Sequence, residues 1–200
     1  MRQKLLFWIS NGLIIIGIGF LIFPVVPAIL KETQYWWWQV FLTRPNLNQI
    51  VVSDNEFRLI IPKINANSKV IANVDAFNDE VYIPFLKVGI AHAQNTALPG
   101  EIGNIYLFAH SSDSPWNISR YNAEFYLLNK LKTGDVILIY YKGFKYEYGV
   151  VNKKVVSGSD LSVFDQAKEQ KLLTLQTCWP PGTTWKRLIV VAEQLQMGLP

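Results

Sequence analysis

Two hydrophobic patterns divide this chain. From Leu5 to Leu30 the run LLFWISNGLIIIGIGFLIFPVVPAIL passes 26 residues without a charge. Beyond Phe57 the apolar residues come in short β-branched or aromatic runs bounded by Asn, Gly, Asp or Pro, the mark of strands. RLIIPKI (58–64), SKVIANV (68–74), NIYLFA (104–109), DVILIYY (135–141), KLLTLQT (171–177) and RLIVVAE (187–193) are such runs. YYKGFKYEYGVV reads as a hairpin turning at Lys142-Gly143, with Phe144, Tyr146 and Tyr148 alternating onto one face. Helical spacing is clearest over Ser119–Leu131, where Tyr121, Phe125, Leu128 and Leu131 share a face and Ser119 can cap. Seven or eight short strands, one or two short helices and no βαβ alternation predict a mostly β fold: a closed, mostly antiparallel barrel.

The N-terminal block predicts something else. Pro24 and Pro27 end its regular part, leaving Leu5–Phe23. Those residues rise about 1.5 Å each to about 28 Å, close to the roughly 30 Å of a bilayer's hydrocarbon. A cleaved signal peptide is the nearest competitor, but the run exceeds the roughly 7–15 residues of a signal core and no A-x-A-type site follows. The reading is an uncleaved transmembrane anchor. Arg2 and Lys4 precede it, which places the N-terminus in the cytoplasm. Tyr35 and Trp36 to Trp38 follow it and suit the outer membrane interface. The predicted division is then anchor over 1–31, stem over 32–56 and an extracytoplasmic domain over 57–200.

Charge refines this picture. The 200 residues carry a formal +4, from 19 basic and 15 acidic side chains. Arg2, Lys4 and Lys31 are the charged residues of 1–31, so the remainder holds 16 basic against 15 acidic. No basic footprint for nucleic acid is left. The 50% hydrophobic composition excludes intrinsic disorder. A single Cys excludes an internal disulfide and a CxxC pair.

That cysteine, Cys178, is a lone thiol in a segment assigned to the outside, where thiols usually pair. It sits just past the strand candidate KLLTLQT and just before the loop WPPGTTW. It is either a reactive nucleophile or a small buried hydrophobe. A thiol of ordinary pKa, about 8.5, needs a basic or cationic neighbour to react. Of the two histidines, His110 sits at a strand end after NIYLFA and is preferred over His92. Arg187 follows Cys178 by nine residues. If the flanking strands form a hairpin, the two face each other at its base, where a guanidinium can hold a carbonyl oxygen as charge develops on it.

These residues also carry a family likeness. Thr174-Leu175-Gln176-Thr177-Cys178 matches the TLxTC signature of sortases, and Arg187-Leu188-Ile189-Val190 resembles the strand that follows it. LPGEIGNIYLFAH (98–110) resembles the segment leading to the family's histidine, and IIPKINANSKV (60–70) its first strand pair. The resemblance covers about 57–196. It implies a sortase-like barrel with catalytic His110, Cys178 and Arg187, and with Thr177 and Trp179 as substrate-contacting candidates. The short Cys-to-Arg spacing differs from class A sortases, and no acidic cluster suggests a calcium site. The implied activity is a cysteine transpeptidase needing no metal or organic cofactor. Its partners would be secreted proteins with a C-terminal LPxTG-like signal, cleaved between Thr and Gly, and an amine acceptor (cell-wall peptide or pilin lysine). Two other readings stand beside it: a thiol peptidase using water, and an anchored β-barrel binding or adhesion module with structural Cys, His and Arg.

Overall fold

In the computed structural model, which describes residues 2–23, 26–41, 56–111, 124–160, 162–164 and 169–195, the strand runs close into one barrel. Its strands are β1 (Arg58–Ile61), β2 (Ala66–Val74), β3 (Ile90–Ala93), β4 (Gly103–Phe108), β5 (Val136–Tyr141), β6 (Phe144–Ser157), β7 (Lys171–Trp179) and β8 (Lys186–Gln194). Around the barrel they lie in the order β1-β2-β3-β4-β7-β8-β6-β5. Most pairs are antiparallel, as the sequence predicts. β2 with β3 and β4 with β7 are parallel.

Alternation explains what is inside. Leu59 and Ile61, Ile105 and Leu107, Ile137 and Ile139, Leu173 and Leu175, and Leu188 and Val190 point inward and form one buried cluster. The intervening residues of the β3, β4 and β8 region point outward, yet Ala91, Ala93, Tyr106, Phe108 and Ile189 are buried too. What covers them is α3 (Asp79–Leu86), laid over the outer wall with Leu86 and Tyr82 turned down. Strands covered on both faces read as continuous apolar runs, which is why GNIYLF shows no alternation.

α3 corrects the sequence reading twice. It is an α-helix where none was expected, and it makes β2-α3-β3 a βαβ crossover. Asn78 caps it by accepting the Glu80 N–H at 3.2 Å, and Asp79 and Glu80 suit its first turn. Pro84 inside the helix disguised it, because proline removes a donor and reads as a breaker. The helix expected over Ser119–Leu131 is corrected in its described part. Residues 124–127 form turns and Leu128–Lys130 one 3-10 turn, while Ser119 and Tyr121 lie outside the described residues. Phe125, Leu128 and Leu131 are fully buried in the barrel core, so their apolar spacing records burial without an α-helix. The hairpin turns where expected, with Lys142 at φ 51° and Gly143 at φ 80°, the pair of positive values that a type I′ turn requires.

Two helices precede the barrel, α1 (Arg2–Ile22) and α2 (Val26–Phe41). The expected stem is thus helical as far as Phe41, and 42–55 lie outside the described residues. Over the described residues no helix is long and apolar enough to cross a membrane. Leu5 and Leu6, which the expected span includes, have side chains outside that description.

Candidate active site

Strand register assembles the site. β4 and β7 run parallel with Tyr106 beside Thr174 and Phe108 beside Gln176. The ladder continues one step beyond β4, where the Ala109 N–H donates to the Gln176 carbonyl at 3.2 Å. Tyr106 and Phe108 belong to the outer wall, and in extended backbone every second residue shares a face. His110 is the next outward position of β4 and Cys178 the next of β7. On the other side of β7, the antiparallel hairpin with β8 pairs Cys178 directly with Arg187, and Ile189 continues the same outer row. Directly opposed residues project to the same side of a sheet. The three sequence candidates therefore meet at one end of one face, and the hairpin inferred from WPPGTTW is present.

Arg187 is held by its own loop. Its Nη1 donates to the carbonyls of Thr184 at 3.0 Å and Lys186 at 3.1 Å. Thr183 in turn closes that loop on Pro180, donating from its backbone N–H at 3.1 Å and its hydroxyl at 2.8 Å. Lys186 pairs with Trp179 and so alternates to the other face.

Thr177 and Trp179 do not join the three. Thr177 is only 2% exposed, and its hydroxyl donates to the Ala109 carbonyl at 2.9 Å. Trp179 packs against the interior cluster. Alternation puts both on the inner side of β7. Thr177 instead ties Cys178's strand to the residue beside His110, which positions the site without lining it.

His92 is fully buried and satisfied. Its Nδ1 accepts the Asn73 N–H at 3.3 Å, so Nε2 carries the proton and donates to the Ala97 carbonyl at 3.0 Å, with the Thr96 hydroxyl oxygen 2.9 Å away. Burial lowers its pKa below the usual histidine value, against smaller upward effects of the Ala97 bond and Glu101. A neutral ring with both nitrogens used is a brace between loops.

The sequence reading missed Tyr82. From α3 it meets Phe108 edge-on, ring centroids 5.7 Å apart. Burial and Asp79 raise its phenol pKa, Arg187 lowers it and Cys178 raises it, so the hydroxyl lies within electrostatic reach of both site residues. Burial also raises Tyr106, again opposed by Arg187. The Tyr106 hydroxyl donates to Gln176 Oε1 at 2.6 Å, and its ring stacks on Phe164 at 4.1 Å. The outer wall beside the site residues is thus aromatic, formed by Tyr82, Tyr106, Phe108 and Phe164. The signal for Tyr82 was its spacing of four from Leu86 on a capped segment, hidden by Pro84. Among the described residues no three His, Cys, Asp or Glu side chains gather as metal ligands. The chemistry available is a thiol, an imidazole and a guanidinium on one low-polarity wall.

The sortase domain family matches residues 59–195. Sortase D of Bacillus subtilis is 27% identical over 140 residues, which is 68% of this chain and 62% of that protein, so the chain spans less than two thirds of that relative's length. The Clostridium perfringens sortase D5 transpeptidase structure superposes with a TM-score of 0.58 at 26% identity, covering 82% of this chain and 98% of that one. Sortase C1 from Streptococcus suis gives 0.57 at 26% identity, covering 72% and 74%. Sortase C-1 from Actinomyces oris, 24% identical over 86% of each chain, shares the fold with a TM-score of 0.60.

Proposed function

Because the chain belongs to the sortase family, we propose that it is a membrane-anchored cysteine transpeptidase acting on secreted proteins with an LPxTG-like sorting signal. The observation that carries this reading is the register pair Cys178–Arg187 beside the end of β4, where His110 is the next outward residue. Cys178 thiolate attacks the Thr–Gly carbonyl, forming a C–S bond as the carbonyl π electrons move to oxygen. Arg187, anchored through Nη1, offers Nε and Nη2 to that oxyanion. Collapse of the tetrahedral species breaks the C–N bond, and His110 gives its proton to the departing glycine amine. An incoming amine attacks the thioester, loses its proton to His110 and returns Cys178 as thiolate. The acyl group's energy is kept in the thioester, so no nucleotide is consumed.

Leu5–Phe23 would hold the enzyme in the membrane with the N-terminus cytoplasmic and residues 57–200 outside. Substrates retained in the same membrane then meet the enzyme in two dimensions. The test is mass spectrometry of the purified protein with a panel of LPxTG-like peptides, with and without an added amine. A thioester adduct on Cys178 that passes to the amine is expected. An adduct released only as free acid assigns the thiol peptidase reading instead, and no adduct with any peptide favours the binding module.

A further inference from the structure

α2 has two faces of opposite character. At 3.6 residues per turn, Glu32, Tyr35 and Trp38 stack on one side, and these are its half-buried positions. That side grips the barrel. Lys130 Nζ meets Glu32 Oε2 at 2.8 Å and lies over the Tyr35 ring at 5.4 Å, and Tyr35 packs against the interior cluster. Lys31 also acts on this side, since its charge opposes the rise that burial imposes on Glu124. Both charged residues of α2 therefore act toward the barrel.

The opposite face is apolar and largely exposed. Val26, Ile29, Leu30, Thr33, Trp36 and Trp37 follow the spacing of one helical stripe, and Leu30, Trp36 and Trp37 are 61%, 61% and 62% exposed. This helix follows α1, whose Phe7, Leu13, Ile15, Phe20 and Ile22 are all exposed as well. A helix whose apolar side chains are exposed on every side suits a lipid environment. A helix that follows it with one apolar face, one charged face and Trp on the apolar side is built for the bilayer surface.

Where α2 grips gives this orientation a consequence. Residues 124–131 lead from the end of β4 to the start of β5. β5 is antiparallel to β1, β1 to β2, and β2 parallel to β3, which is antiparallel to β4. β5 therefore begins at the barrel end where β4 and β7 finish, the end that carries Cys178. We propose that α2 lies in the interfacial layer of the membrane with its Ile29-Leu30-Trp36 face in lipid, clamping the catalytic end of the barrel beside the bilayer. The domain is then held at a set height, where a sorting signal still retained in the membrane would be presented, and does not swing on a loose stem. This rests on the anchor reading of α1 and adds the role of α2.

The test uses the full chain in nanodiscs of phosphatidylcholine and phosphatidylglycerol, with Cys178→Ala as the cysteine-free background. Spin labels are placed one at a time through Ile15→Cys, Leu30→Cys, Thr33→Cys, Gln34→Cys and Ser159→Cys. Accessibility to oxygen against a water-soluble nickel chelate is then read at each. The expected result is a lipid-like ratio at positions 15, 30 and 33, several-fold above that at 159, with 34 intermediate. Glu32→Lys should move the barrel away from the bilayer in a domain-to-lipid energy-transfer measurement, and adding Lys130→Glu should bring it back. Water-like values at 30 and 33 with a lipid-like value at 15 would overturn the role of α2 and leave the anchor intact. Water-like values at all three would overturn both. Spin–spin broadening between copies labelled at 33 would make a second copy the occupant and overturn the lipid assignment.

Discussion

Replacing Arg187 by Lys keeps a positive charge at the position opposite Cys178 and removes the planar fork. In the structure one arm of the guanidinium is committed to the Thr184 and Lys186 carbonyls, leaving Nε and Nη2 for a substrate oxygen. A lysine ammonium has one nitrogen, so satisfying the loop carbonyls draws it away from an oxyanion. The stability cost is small. Two bonds to carbonyls at the surface are worth at most about 0.5–1.5 kcal/mol each, and water can replace them. The catalytic cost is larger, because one lost oxyanion donor removes about 2.7–4 kcal/mol of transition-state stabilisation, or about 10²–10³ in rate. The assay is kcat/KM for transpeptidation with one fixed peptide and amine, alongside thermal unfolding to establish that the variant is folded. Lys186→Ala is the control, since Lys186 pairs with Trp179 and alternates away from Cys178. A folded Arg187→Lys variant within a few-fold of wild type, with Lys186→Ala crippled, would refute both the role and the facing of the final strand.

Cys178→Ala should lose the thioester adduct by mass spectrometry while its unfolding curve stays close to that of the wild type, because the thiol is only half-buried. His110→Ala should abolish turnover in a folded protein, whereas His92→Ala should chiefly lower the unfolding temperature by removing a buried, three-sided brace; the reverse pattern would exchange their roles. Tyr82→Phe keeps the ring contact with Phe108 and deletes a hydroxyl whose titration is influenced by Arg187 and Cys178, so kcat/KM should fall with no change in melting temperature; equal activity would make Tyr82 packing alone. His92 has a folded pKa below its unfolded value near 6.5, so above that pH both states are neutral, and below it the unfolded chain takes up the proton first. Denaturant unfolding at pH 7, 6 and 5 should therefore show a loss of stability on acidification that is smaller in His92→Asn, and an unchanged slope in the variant would remove His92 as its source.

Local pattern alone determined much of this protein. The strand runs were legible because a wall with one buried face forces a period of two, and the β5–β6 turn because Lys142-Gly143 supplies the positive φ values a tight hairpin needs. The Cys178–Arg187 pair was legible for the same reason: a hairpin with a short loop has little freedom in which residues it opposes. Chain order cannot say which distant strands pair. The parallel neighbours β4 and β7, which bring His110 beside Cys178, are separated in the chain by the whole β5–β6 hairpin, and only closure of the barrel decided that they adjoin. Tertiary cover decided the rest. The outer wall of β3 and β4 is apolar because α3 lies on it, and α3 tolerates Pro84 because packing through Tyr82 and Leu86 outweighs propensity. Phe125, Leu128 and Leu131 have helical spacing without an α-helix, since plugging a barrel end asks only that apolar side chains reach inward. Burial likewise separated the two histidines, closing His92 inside its own hydrogen bonds and leaving His110 at the edge of the site.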